Sequence, residues 1–488
     1  MFELLVNVSR YFFVFYVAYF LYQGAIYVLI ERGKLDKESY LPIRKQQITI
    51  VFMHIKSFLI LGYAQRNFDT SGLLGGGFLG MGITEMEFYD SITSGNFLFN
   101  VTTLAIGSVW LVLFLVYSIL IKKIFVNTCP LIWNGVFFLT SISLIILRRL
   151  SPYLSERQIL WFFVSFGVML FIPLAIVILR KLENFTYVYL IVGLGLLLST
   201  FVFGTEEFGS ARWIQIGSFS FQPSELVNFL YVFYLASVFR KRLSFQQLII
   251  PSLFAVGFVV LLVAQRNLGA ALIFFMTYMI IMYVSTGKLW LFGVGMLLFV
   301  IGSMIAYRYF GHIQVRVAIW QDPWADVHGT GHQIVQAFFA MGTWGIFGSG
   351  LTRGLPGLVP VVARDLPFAA ITEEFGMIFA IALIGVYIMI FYRGVHIALR
   401  ADRRYYSLLA VGFTGMLAFQ TFLIMGGTIG FVPLTGVTLI FVSYGGSSVL
   451  VSTMMIGIIQ WVSMCTHKEK DNENAIILAS EEDAHGGH

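Results

Sequence analysis

Six charged residues stand out in a chain that has few: Arg212, Glu225, Arg316, Asp365, Glu373 and Glu374. They gather around two polar segments, 204–223 and 308–366, that interrupt long apolar runs. A carboxylate within hydrogen-bond reach of a hydroxyl can take its proton. A guanidinium fork matches the oxygens of a phosphate. Trp213 and Trp320 lie near the two arginines and could stack on a sugar ring or anchor a membrane interface. Each residue also has a plainer use. Asp365 stands before Leu366-Pro367 at the head of an apolar run, and spacing alone reads it as a helix cap. Arg212 and Arg316 could snorkel, or pair with Glu206, Glu207 or Asp322. Asp322-Pro323 and Asp326 read as loop-shaping. Glu225 lies just inside an apolar run, where an acidic residue is functional or paired. His54 and Lys56, also in an apolar run, read as partners inside a bundle or as snorkelling ends.

The elements that must position these residues are membrane spans. Only 11% of the 488 residues are charged and 58% are hydrophobic, against about 25% charged in a soluble chain. That excludes a soluble enzyme, a disordered chain and a nucleic-acid binder. The apolar runs are continuous, which also excludes the alternating strands of an outer-membrane barrel. The expectation is an all-α polytopic membrane protein. Spans are expected near 8–31, 47–64, 98–121, 128–147, 158–179, 185–203, 224–239, 247–264, 268–286, 288–307, 367–392, 405–429 and 437–463, about thirteen in all. No cleavable signal peptide is expected, because the first apolar stretch is long enough to span. Placing the N-terminus outside and the C-terminus inside puts most Lys and Arg in inside loops. Arg148, Arg149 and Arg157 are the exceptions. Cys129 and Cys465 are too few for a disulfide framework. The charged tail 464–488 reads as a disordered cytoplasmic end with no metal role.

Four motifs then narrow the field. They are Ala211-Arg212-Trp213-Ile214 with Phe221-Gln222-Pro223-Ser224-Glu225; Arg316-Val317 with Trp320-Gln321-Asp322-Pro323-Trp324 and Gly329-Thr330-Gly331-His332-Gln333; Asp365 eight residues before Glu373-Glu374-Phe375-Gly376; and Pro433-Leu434-Thr435-Gly436 with Ser443-Tyr444-Gly445-Gly446. In this order they resemble the SEDS proteins (shape, elongation, division and sporulation), the FtsW/RodA/SpoVE group. The resemblance covers 128–463 as a ten-helix core with a large outer loop, 308–366. It leaves 1–127, a three-span extension with an outer loop at 65–97, outside it.

The resemblance implies a peptidoglycan glycosyltransferase that polymerises lipid II at the outer face of the bacterial cytoplasmic membrane, in cell shape, division or sporulation. The implied partners are undecaprenyl pyrophosphate-linked glycan, membrane lipid and a class B penicillin-binding protein, with no nucleic acid. Asp365 matches the family's loop aspartate and becomes the expected general base. Arg212, Trp213, Glu225, Arg316, Trp320, Gln333, Glu373 and Glu374 become the expected substrate-binding set. No protein-bound metal is expected; a divalent cation, Mg2+ or Mn2+, could assist the leaving pyrophosphate. Asn228 stands where members commonly carry Lys, and Asn267 where they carry Asp, with Arg266 beside it as a candidate replacement cation. The competing readings are a lipid II flippase and a non-catalytic scaffold. A transporter predicts an internal repeat, and none is visible.

Overall fold

The computed structural model describes residues 2–31, 40–64, 101–178, 182–207, 210–216, 219–241 and 244–485. The loop 65–97 lies outside the described residues. The chain is nearly all helical: α1 (Phe2–Glu31), α2 (Leu41–Ala64), α3 (Val101–Ile124), α4 (Pro130–Leu150), α5 (Pro152–Leu170), α6 (Ile172–Ile178) and α7 (Thr186–Phe203) come first. A small antiparallel sheet follows, β1 (Thr205–Glu207), β2 (Ser210–Ile216) and β3 (Phe219–Phe221), paired in that order. Then come α8 (Pro223–Phe239), α9 (Phe245–Ala264), α10 (Leu268–Thr286), α11 (Leu289–Tyr309), α12 (Gly311–Gln321), α13 (His332–Thr343), α14 (Pro367–Phe375), α15 (Met377–Arg400), α16 (Arg404–Thr428) and α17 (Gly446–His485).

Twelve helical segments among the described residues are long and apolar enough to cross a bilayer, and α8, at 17 residues, is a shorter apolar helix. Seventeen residues still reach about 25 Å, the low end of a crossing. Helices are the required solution, since lipid offers no partner to a backbone amide. Proline at the first helical turn starts α4, α5, α8 and α14, where its missing N–H goes unneeded. The break between α10 and α11 falls at Gly287, whose φ of 65° closes α10 in the left-handed region.

Three expectations need correction. The eleventh span begins at Met377, not Pro367, because Gly376 (φ 89°) separates α14 from α15. The last span begins at Gly446, not 437, and the segment before it is irregular backbone. The tail expected to be disordered continues α17 as helix to His485.

The centre is α4, 94% buried, flanked by α2, α5 and α15. At the other extreme α11 is 6% buried and lies on the outside. The first three helices clad one flank, α1 against α15, α2 against α4 and α3 against α5. His54 is fully buried at the α2–α3–α4 junction. Its Nδ1 lies 2.8 Å from Ser141 Oγ and its ring 4.2 Å from that of Trp110. Lys56 Nζ sits 3.7 Å above the Phe12 ring. Both are packing partners inside the bundle.

Candidate active site

Asp365 stands at the head of α14, half-buried. Its backbone amide donates to Val361 O at 3.0 Å, closing a turn in which Val361 takes φ 53°. Tyr444 N donates to Ala363 O at 2.8 Å, which pins this turn to the irregular segment before α17. Leu366, not Asp365, occupies the helix N-cap, and it makes no side-chain capping bond. Asp365 thus stands one residue before the cap position. Opposite the carboxylate is Gly436, at φ 70°, where a Cβ would lie 3.8 Å from Asp365 Oδ2. Glycine satisfies the backbone there and leaves the carboxylate room.

Arg316, on α12, reaches the same place. Its Nη1 donates to Leu434 O at 2.6 Å, two residues from Gly436. Burial holds the guanidinium below the usual arginine range, while the charge of Asp365 acts the other way. Trp320 Nε1 donates to Gly430 O at 2.9 Å, yet 42% of the side chain stays exposed. Gln333 Nε2 donates to Pro360 O at 3.4 Å, at the base of the Asp365 turn. Asp326 accepts from Thr330 N at 2.7 Å and from Thr330 Oγ1 at 3.0 Å, bonds that hold its carboxyl below the usual range. Asp322 Oδ1 accepts from Trp324 N at 3.1 Å. These two aspartates shape the loop.

Glu225 lies one turn into α8, and Asn228 Nδ2 donates to its Oε2 at 3.3 Å. Asn228 thus supplies a neutral donor at the position where a Lys is common, while Arg266 is exposed. Asn267 caps α10 by accepting from Ala270 N at 3.4 Å, and its Nδ2 donates to Ser224 Oγ at 3.4 Å. Gly269, just beyond, lets the strip Thr435–Val437 pack so closely that a Cβ would collide with Val437. The strip therefore has the Glu225–Asn267 group on one side and Asp365 on the other. Two buried polar atoms here, Asn228 Oδ1 and Thr435 Oγ1, have no hydrogen-bond partner among the described residues. Trp213 is half-buried on β2, paired with Thr205; Arg212 precedes it on that strand.

Glu373 and Glu374 sit elsewhere. Both are buried at the far end of α14 and hold the loop that precedes Asp365. Glu374 Oε1 meets Arg149 Nε at 2.9 Å and accepts from Thr352 N at 3.2 Å. Glu373 Oε1 accepts from Leu355 N at 2.6 Å. Their backbone carbonyls accept from Ser349 N and Gly350 N. The structure thus gives this pair a supporting place around the 349–355 loop, apart from the Asp365–Arg316 group. It also explains two arginines that broke the charge pattern. Arg148 is 1% exposed and bonds Thr102, Thr103 and Glu156, and Arg149 bonds Glu374, so neither is a free topological charge.

Several residues that hold the site escaped the motif reading. The segment before α17 is irregular, with Phe441 at φ 61°, and side chains from the bundle satisfy its backbone. Gln158 Nε2 donates to Ser443 O at 3.3 Å, Gln420 Nε2 to Thr438 O at 3.0 Å, and Tyr387 OH to Ile440 O at 2.6 Å. Irregular backbone at membrane depth needs such partners. A buried glutamine in an apolar run was the available signal.

The chain is similar to known proteins over most of its length. The FtsW/RodA/SpoVE family model, described as "Cell cycle protein", matches residues 122–468. The peptidoglycan glycosyltransferase RodA of Mycobacterium tuberculosis is 31% identical over 389 residues, covering 73% of this chain and 82% of that one. The probable peptidoglycan glycosyltransferase FtsW of Bacillus subtilis is 32% identical over 350 residues, covering 67% and 86%. A chain of a solved peptidoglycan synthase complex that coordinates polymerisation and crosslinking superposes with a TM-score of 0.60 at 25% identity, covering 70% of this chain and 99% of that one. The solved RodA of Thermus thermophilus shares the fold, with a TM-score of 0.50 at 24% identity over 69% and 97%. The chain belongs to the FtsW/RodA/SpoVE family of multi-pass membrane proteins.

Proposed function

We propose that this protein polymerises lipid II into peptidoglycan glycan strands at the outer face of the cytoplasmic membrane, with Asp365 as general base. The observation that carries the reading is the convergence of Asp365, Arg316 and Gly436 between the outer loop and the segment before α17. In the reaction a sugar 4-hydroxyl attacks the anomeric carbon of the growing chain from the face opposite its leaving group. The bond to undecaprenyl pyrophosphate breaks and the configuration inverts. The hydroxyl is a weak nucleophile until its proton has somewhere to go, and the Asp365 carboxylate is half-buried yet reachable. The pyrophosphate leaves as an anion on the face opposite the base, and the Arg316 guanidinium, within electrostatic reach of Asp365, adds positive charge to the site.

Trp320 offers an exposed indole face to a sugar ring. Trp213 lies on the sheet that leads into α8, with Arg212 before it on the same strand. Among the described residues no three His, Cys, Asp or Glu converge as a metal cage. A divalent cation, Mg2+ or Mn2+, would ride on the pyrophosphate itself. A class B penicillin-binding protein would crosslink the strands made here.

The test is polymerisation of purified lipid II by the full chain, with and without the transpeptidase, beside Asp365→Ala. Long glycans from the parent and none from the variant support the reading. Equal glycan yield from a folded Asp365→Ala protein overturns it. Transfer of labelled lipid II across vesicles without polymer would favour transport.

A further inference from the structure

We infer that the three N-terminal helices, which lie outside the family match, are a built-in brace that positions the polymerisation site. The inference rests on Asp365 being the base. Its own evidence is a set of contacts between the extension and the support of α14. Phe13 of α1 lays its ring 4.5 Å from that of Phe375, the last residue of α14. Tyr11 sets its ring 5.0 Å from Phe347. Phe347 and Phe375 flank a crossing of two chains at Gly348 and Gly376, both at positive φ and too close for any Cβ. That crossing fixes where α14 ends, and Asp365 stands at its other end.

The opposite end of α1 is tied as well. Glu31 receives two bonds from Arg393 of α15, at 2.5 and 3.0 Å. Because α15 starts directly after Gly376, α1 is a strut fixed at one end to the close of α14 and at the other to α15. A second link runs through neighbouring arginines of α4. Arg148 donates to Thr102 and Thr103 of α3, each at 2.9 Å, while Arg149 holds Glu374 of α14. A displacement of the extension is thus felt by α14 through two routes. Misplacing a catalytic group by about 1 Å costs up to about a hundredfold in rate.

The experiment uses the full chain and purified lipid II, with Tyr11→Ala, Tyr11→Phe, Phe13→Leu and Asp365→Asn side by side. Tyr11 is 46% exposed, so its truncation spares the core. A brace predicts that Tyr11→Ala and Phe13→Leu lower kcat about three- to tenfold while leaving KM for lipid II near its parent value. Tyr11→Phe keeps the ring and restores kcat. Thermal midpoints and elution profiles stay at the parent values for the Tyr11 variants. The inference is overturned if Tyr11→Ala and Phe13→Leu keep full kcat while Asp365→Asn is inactive, or if kcat falls only as the folded fraction falls. Full activity of Asp365→Asn would overturn the base assignment, and the brace that rests on it.

Discussion

The two ends of α14 carry carboxylates in opposite settings. Asp365 stands two residues before the helix, half-buried, with a glycine opposite it and a guanidinium beside it. Glu374, next to last in the same helix, is 0% exposed and spends Oε1 on Arg149 and on the Thr352 amide. Both are acids near the outer end of the bundle, nine positions apart in the chain. Residue type does not separate them. What separates them is depth: Asp365 is half-buried and Glu374 fully buried against Arg149. The Glu374 end is closed by an ion pair and by the backbone crossing at Gly348 and Gly376.

The sharpest way to break this contrast is Asp365→Asn. Loss of a general base costs about 10²–10⁴ in rate, so polymerisation should fall at least about a hundredfold. The thermal midpoint in detergent should not move. A folded variant within a few-fold of parent activity would remove Asp365 from the chemistry. Glu374→Gln should do the reverse. Breaking a buried pair costs about 3–5 kcal/mol, and Arg149, 25% exposed, places this one at the low end. The thermal midpoint should drop by several degrees, with the folded fraction keeping most of its activity. A Glu374→Gln enzyme that melts normally but cannot polymerise would put Glu374 in the reaction instead. Gly436→Ala tests the open side. A non-glycine residue at φ 70° costs about 1–2 kcal/mol, and the added methyl would lie 3.8 Å from Asp365 Oδ2. We expect a loss of about tenfold in kcat with a small shift in midpoint, read from the same two assays.

Much of this was legible in the chain before any coordinates. Apolar runs of about twenty residues located the spans, because lipid forces each one to be a helix. Asp365 and Arg316 were visible as scarce charges on a polar loop. Local pattern could not tell that Glu374 is a brace, because Arg149 is 225 positions away in sequence. The same limit hid Gln158 and Gln420 as backbone partners of the segment before α17. That segment was read as helix because it is apolar; its turn depends on Gly436 and on side chains from α5, α15 and α16. The charge count left Arg148 and Arg149 as exceptions to its pattern, since burial cannot be seen in a loop composition.

The smallest effect concerns Glu225, which stands between the two extremes. It is partly buried, and Asn228, itself 5% exposed, donates to its Oε2. Asn228→Lys would restore the charge pair common in the family. A buried ion pair gains in attraction about what it loses in desolvation, so stability should change by less than about 1 kcal/mol. Activity should stay within about threefold of the parent. Asn228→Leu removes the donor without supplying a charge and leaves the carboxylate less satisfied, at a cost of about 1–3 kcal/mol. If Glu225 is a supporting acid like Glu374, the leucine variant loses stability and keeps its activity per folded molecule. If it contacts substrate like Asp365, KM for lipid II rises in both variants while the melting curve of Asn228→Lys stays in place. The lysine variant therefore decides to which end of the contrast Glu225 belongs, because it changes the charge seen by a substrate while leaving the carboxylate with a partner.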